Sequence, residues 1–146
     1  MATKQGSPVT LRLRRTFQAP RERVFRAWTE PSVMVRWKAP GEGTVPLAEV
    51  DLRVGGAYRV HMRGPDGTEY HLKGTYRVVD PPKKLVYTWL WETNPEMGET
   101  VVTVEFRDVG GSTELVLTHE LFPTDDDRKQ HETGWTSCFE KLAQTL

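Results

Sequence analysis

Only one stretch of this chain has a helical period long enough to demand a large receiving surface, and it is the last. Wound at about 100° per residue, the segment from Thr124 to Leu146 gathers His131, Trp135, Cys138, Phe139, Leu142 and Leu146 on one face. Lys129, Thr133, Thr136 and Glu140 fall on the other. Thr124, preceded by Pro123, suits the N-cap, and Asp125, Asp126 and Asp127 then meet the positive end of the helix dipole. An amphipathic helix of this kind cannot hide its apolar face alone. Whatever receives it lies upstream, and the upstream chain alternates like a series of strands.

Alternation runs from Val9 to Phe17, Val45 to Leu52, Ala57 to Arg63, Glu69 to Val79, Leu85 to Trp91, Val101 to Arg107 and Ser112 to Leu121. Turn chemistry separates the segments: Arg53-Val54-Gly55-Gly56, Gly64-Pro65-Asp66-Gly67, Asp80-Pro81-Pro82-Lys83 and Gly110-Gly111. Such short links join antiparallel neighbours. One excursion breaks the series. Ala19-Pro20 opens a short helix with Val24, Phe25 and Trp28 on its buried stripe, and Glu30-Pro31 restarts the chain into a second holding Val33, Met34 and Trp37. Pro40-Gly41 ends it. The expected class is α+β: a curved antiparallel sheet of about seven strands around a long C-terminal helix.

The parity of the strands sorts their side chains. Tyr58, Tyr70, Tyr76, Tyr87, Trp89 and Trp91 point inward, as do Val102, Val104 and Phe106, and Leu115, Leu117, His119 and Leu121. Arg15 shares the inward parity of β-strand neighbours such as Leu13 and Phe17, which requires an explanation. A structural pair with Asp51 or Glu105 is the favoured one; receiving a ligand carboxylate is the other.

Length and composition set outer bounds. The 146 residues suit one domain, residues 9–146, behind a flexible N-terminal tail of residues 1–8. Twenty basic and twenty acidic side chains cancel, which argues against a nucleic-acid footprint. No apolar run reaches the ~18 residues of a membrane span, and no apolar signal core opens the chain. A single cysteine, Cys138, excludes an intrachain disulfide, so a cytoplasmic location is expected. No HxH, CxxC or HExxH pattern suggests a metal, and the glycine turns lack phosphate-loop spacing, so no cofactor is expected. No serine occupies a strand-to-helix elbow, and Cys138 lies on the apolar helix face, where it packs rather than reacts.

The order of these features resembles the SRPBCC, or START-like, superfamily, and within it the family of the C-terminal domain of the heat-shock-protein-90 ATPase activator. The resemblance rests on Arg15-Thr16-Phe17-Gln18-Ala19-Pro20 with Val24, Phe25 and Trp28, on Trp37 and Pro40, and on Asp51-Leu52-Arg53-Val54-Gly55-Gly56. It continues through the Gly64 to Gly67 turn, Gly74-Thr75-Tyr76, Asp80-Pro81-Pro82, Leu85 to Trp89, Thr118-His119-Glu120 and Gly134-Trp135. It implies a helix-grip fold with a cavity between sheet and last helix, and it carries over no catalytic motif.

On that reading the chain binds a small hydrophobic or amphipathic ligand, as carrier or sensor. The cavity-lining candidates are Trp37, Tyr58, Tyr76, Tyr87, Trp89, His119, His131, Trp135, Cys138 and Phe139. Each aromatic either fills the core or lines the pocket; each histidine is either a satisfied structural group or one that orients or protonates a ligand. His61 and His71 are expected at the surface. Gly74 and Gly134 remove volume, for a ligand or for close backbone contact. Two alternatives stand beside this one: a cyclase- or hydrolase-like enzyme using the same cavity, and a co-chaperone-like module that stimulates a heat-shock-protein-90 ATPase in a stress response. Membrane and nucleic-acid partners are not expected; exposed sheet edges leave a homodimer open without requiring one.

Overall fold

A computed structural model describes residues 9–146; the expected tail, residues 1–8, lies outside the described residues. The chain forms β1 (Val9–Phe17), α1 (Arg21–Thr29), α2 (Pro31–Met34), β2 (Thr44–Val50), β3 (Ala57–Arg63), β4 (Glu69–Asp80), β5 (Lys84–Trp91), β6 (Thr100–Val109), β7 (Ser112–Phe122) and α3 (Asp125–Thr145). The sheet order is β1-β7-β6-β5-β4-β3-β2, antiparallel throughout. The two short helices carry the chain from one edge, β1, to the other, β2. Successive hairpins then bring it back until β7 pairs with β1. The arrangement is the helix-grip one. None of the described helices is long and apolar enough to cross a membrane.

Alternation fixes the faces, and bulges shift them. Val60, Leu72, Leu85, Val102, Val104, Leu115 and Leu117 are fully enclosed on the concave side. The β4–β5 register slips between Tyr76 and Val78, so Val78 turns out to solvent. At the end of β7 the pairing with β1 is irregular and Leu121 adopts φ 75°. Leu121 is therefore 44% exposed, contrary to its parity, and Phe122 is buried in its place. A bulge inserts one residue and inverts every face beyond it.

The sheet is tightly packed around Gly74. Thr75 donates its backbone N–H to the Thr88 hydroxyl (2.8 Å), and the ring of Tyr58 crosses Gly74 so that its hydroxyl donates to the Thr88 carbonyl (2.6 Å). A Cβ at Gly74 would overlap that carbonyl oxygen and approach Tyr58 Cε2 to 2.5 Å. Close approach, rather than room for a ligand, explains this glycine.

The short helices fill the other end of the concave side. Trp28 and Trp37 pack at 4.5 Å between ring centroids, and Phe106 and Phe139 close on Trp28 edge-on. Trp37 lies just past α2, in the turn that follows, and its indole donates to the Ala27 carbonyl (2.9 Å). Along α3, Trp135, Cys138, Phe139 and Leu142 are buried, as the helical period requires, and the Thr124 hydroxyl caps the Asp127 N–H at 3.1 Å. Arg15 pairs with neither Asp51 nor Glu105. From edge strand β1 its guanidinium passes Phe17 (5.4 Å to the centroid) and reaches Glu140 on the outer face of α3 at 2.9 Å. The stem is covered and the charge stays near water. His61 and His71 lie on the convex face but half-buried, stacked at 3.8 Å across the β3–β4 pairing, with His71 against Glu69 (3.0 Å).

Candidate functional site

Between the first half of α3 and the β3–β4 hairpin lies a cavity of about 540 Å³. Its outer wall comes from Asp127, Gln130, His131, Gly134, Trp135 and Cys138 on α3; its inner wall from Met62, Trp89, Trp91 and Met97; its mouth from Arg63 to Pro65, Thr68 to Tyr70, Thr93 and Asn94. The segment from Lys38 to Gly43 closes the far side. A Cβ at Gly134 would meet nothing within 4 Å, so this glycine, unlike Gly74, leaves open space.

Four of the expected lining residues meet here: Trp89, His131, Trp135 and Cys138. The other six are in the core. Tyr58, Tyr76 and Tyr87 form a cluster with centroids 5.3 to 6.0 Å apart, and burial raises the pKa of each phenol. Phe139 packs among Phe17, Trp28 and Trp135; Trp37 is spent on Trp28 and Ala27.

His119 is enclosed beside the cavity rather than in its wall. Its Nδ1 accepts from the Trp135 indole (3.1 Å), and its Nε2–H donates to Thr100 Oγ1 (2.7 Å), which itself donates to the Trp89 carbonyl (3.3 Å). In His131, Nδ1–H donates to the Asp127 carbonyl (2.7 Å) and Nε2 accepts from the Trp91 indole (2.9 Å). The network thus assigns both rings a neutral tautomer with each nitrogen occupied. Burial lowers both pKa values, and the neighbouring His131 and Lys38 lower that of His119 further. The unfolded chain takes up protons near pH 6.5 that folded His119 refuses, so stability must fall as pH drops below that value. The slope approaches about 1.4 kcal/mol per pH unit for each such group. Urea midpoints taken between about pH 8 and about pH 5 should show it, and His119→Gln should flatten it; an unaltered slope in that variant would count against this assignment.

The residue that sequence reasoning missed is Lys38. It is only 4% exposed, and its ammonium sits 5.0 to 5.8 Å from the centroids of Trp37, Trp135, Trp28, Tyr87 and Trp89. Burial pulls its pKa down to about 8, partly countered by the nearby Cys138 sulfur. Three residues of α3 hold its segment in place. Ser137 Oγ accepts from the Gly41 N–H (2.7 Å), the Cys138 thiol donates to the Lys38 carbonyl (3.3 Å), and Lys141 Nζ donates to the carbonyls of Ala39 (2.5 Å) and Gly43 (3.2 Å). Burial pushes the Cys138 thiol up to about 11, which keeps it a donor rather than a nucleophile. In sequence, Lys38 follows a helix end, where neither period assigns a face. Its one signal is adjacency to Trp37.

Residues 18–146 match the family described as activator of Hsp90 ATPase homolog 1-like protein. Among solved structures, a Chromobacterium violaceum protein is similar with a TM-score of 0.86 and 27% identity, over 92% of this chain and 94% of that one. The AHSA1 protein of Silicibacter pomeroyi gives a TM-score of 0.82 and 28% identity, over 93% and 96%. A Nitrosomonas europaea protein gives 0.80 and 26%, over 94% and 93%. No curated protein matches the sequence.

Proposed function

This chain belongs to the activator of Hsp90 ATPase homolog 1-like family, a fold that names no reaction by itself, and we propose that it binds a small apolar or amphipathic molecule beneath α3. One observation carries the reading: about 540 Å³ of space, walled by Met62, Met97 and three indoles, that the chain's own side chains leave unfilled. Hollows of a few hundred Å³ with mostly apolar walls and a few polar groups are what small-molecule sites look like. Binding there buries apolar surface at roughly 25 cal/mol per Å², enough to hold a flat ring system without covalent chemistry.

Pyrene is a suitable neutral probe, because Trp89, Trp91 and Trp135 line the cavity and will transfer excitation to it. Saturable quenching of tryptophan emission is expected in the native protein. Gly134→Leu places a side chain into the open space and should weaken binding at least about tenfold while the helix gains propensity. Quenching that persists undiminished in a folded Gly134→Leu variant would place the probe elsewhere and remove this function.

A further inference from the structure

The cavity lining holds two hydrogen-bond donors that find no acceptor among the described residues. Among the described residues, no carboxylate pairs with Lys38 and no oxygen accepts from its Nζ; five ring faces surround it, with the Cys138 sulfur nearby. The Trp89 indole N–H, in the same lining, is buried and also lacks an acceptor. Buried cations are costly unless paired, and five ring faces offset only part of that cost.

We propose that the ligand carries a carboxylate, which docks on the Lys38 ammonium with the Trp89 N–H as second donor, while its apolar body lies along Met62, Met97 and Trp135. This rests on the binding reading above and deepens it. Both protein groups are donors only, so the ligand must bring the acceptors. A neutral alcohol would leave the ammonium unpaired, and a multiply charged phosphate would outweigh a single cation in an apolar chamber. At the mouth, Arg63 is exposed and already paired with Glu69 at 3.1 Å, so a carboxylate there would stay in water. At neutral pH a lysine with a pKa of about 8 is mostly charged, so the partner it lacks is an anion.

Pyrenebutyric acid and its methyl ester differ only in the head group, with pyrene itself as the control for the cavity. In the native protein the acid is expected to bind about tenfold or more tightly than the ester, as a charge-assisted pair implies. In Lys38→Met the two should bind alike, and the variant should melt at a higher temperature than the native protein because a desolvated charge has gone. Lys38→Gln serves the same comparison should the methionine variant misfold. Equal binding of acid and ester by the native protein, or a preference that survives in the variants, overturns the carboxylate. If pyrene binds and Gly134→Leu blocks it, that failure concerns the head group alone. If pyrene does not bind at all, the cavity reading fails and this inference falls with it.

Discussion

Alanine at position 74 will cost this protein about 3 kcal/mol, a fall of roughly 10 °C in Tm, although it adds a single methyl group. The added carbon has no room: on one side is the Thr88 carbonyl, on the other the Tyr58 ring, and each is fixed by the hydrogen bond between them. Backbone cannot yield as the end of a flexible side chain can, so relief must come from opening the β4–β5 ladder or ejecting Tyr58. The same change at Gly134 has the opposite sign. Its Cβ meets nothing within 4 Å, and helix propensity favours alanine there by up to about 1 kcal/mol. Thermal melts of the two variants side by side make the test. A Gly74→Ala protein as stable as the native one would show that the sheet is not pinned at this point.

Trp28→Ala should be costlier still, about 4 kcal/mol. Trp28 is 2% exposed and packs against Trp37, Phe106, Trp135 and Phe139, so it joins the corner helices, the sheet and α3. Truncation leaves a void that these rings cannot collapse to fill. It also strips the Tyr87 hydroxyl of its indole donor (3.1 Å) and removes one ring face from the Lys38 ammonium. Trp28→Phe goes part of the way, since it keeps an aromatic ring and most of the volume while losing the N–H and the rest of the indole. It should cost about 1–2 kcal/mol, less in a Tyr87→Phe background where no donor is needed. Urea unfolding at neutral pH measures both; a loss under about 1 kcal/mol for Trp28→Ala would contradict the joining role.

Where the sequence carried a period, it located the elements closely. Val9 to Phe17 alternates and is β1 to the residue; Thr124 is the cap and the face from Trp135 to Leu142 is the buried one. The misplaced side chain, Leu121, follows a bulge, because one inserted residue reverses a strand's parity while leaving its composition untouched. Arg15 was legible as an anomaly but its partner was not, since Glu140 is 125 residues away and no local pattern links them.

The candidate site divides along the same line. Its walls were half visible: Trp89, His131, Trp135 and Cys138 follow from two periods, one of the strand and one of the helix. Periods say which face a side chain takes but not which end of a bent sheet it occupies. Tyr58, Tyr76 and Tyr87 share the inward face with Trp89 and yet close on one another in the core, while Trp89 borders open space.

By itself, then, the amino-acid sequence determined the strands, the gripping helix and the side of the sheet on which a cavity could form, because each depends on spacings of two or 3.6 residues. The tertiary structure alone decided that Lys38 is a buried cation among five aromatic rings, with no partner among the described residues. That outcome depends on α3 clasping the carbonyls of residues 38, 39 and 43 from about a hundred positions away, and a contact of that kind leaves no periodic trace in the chain.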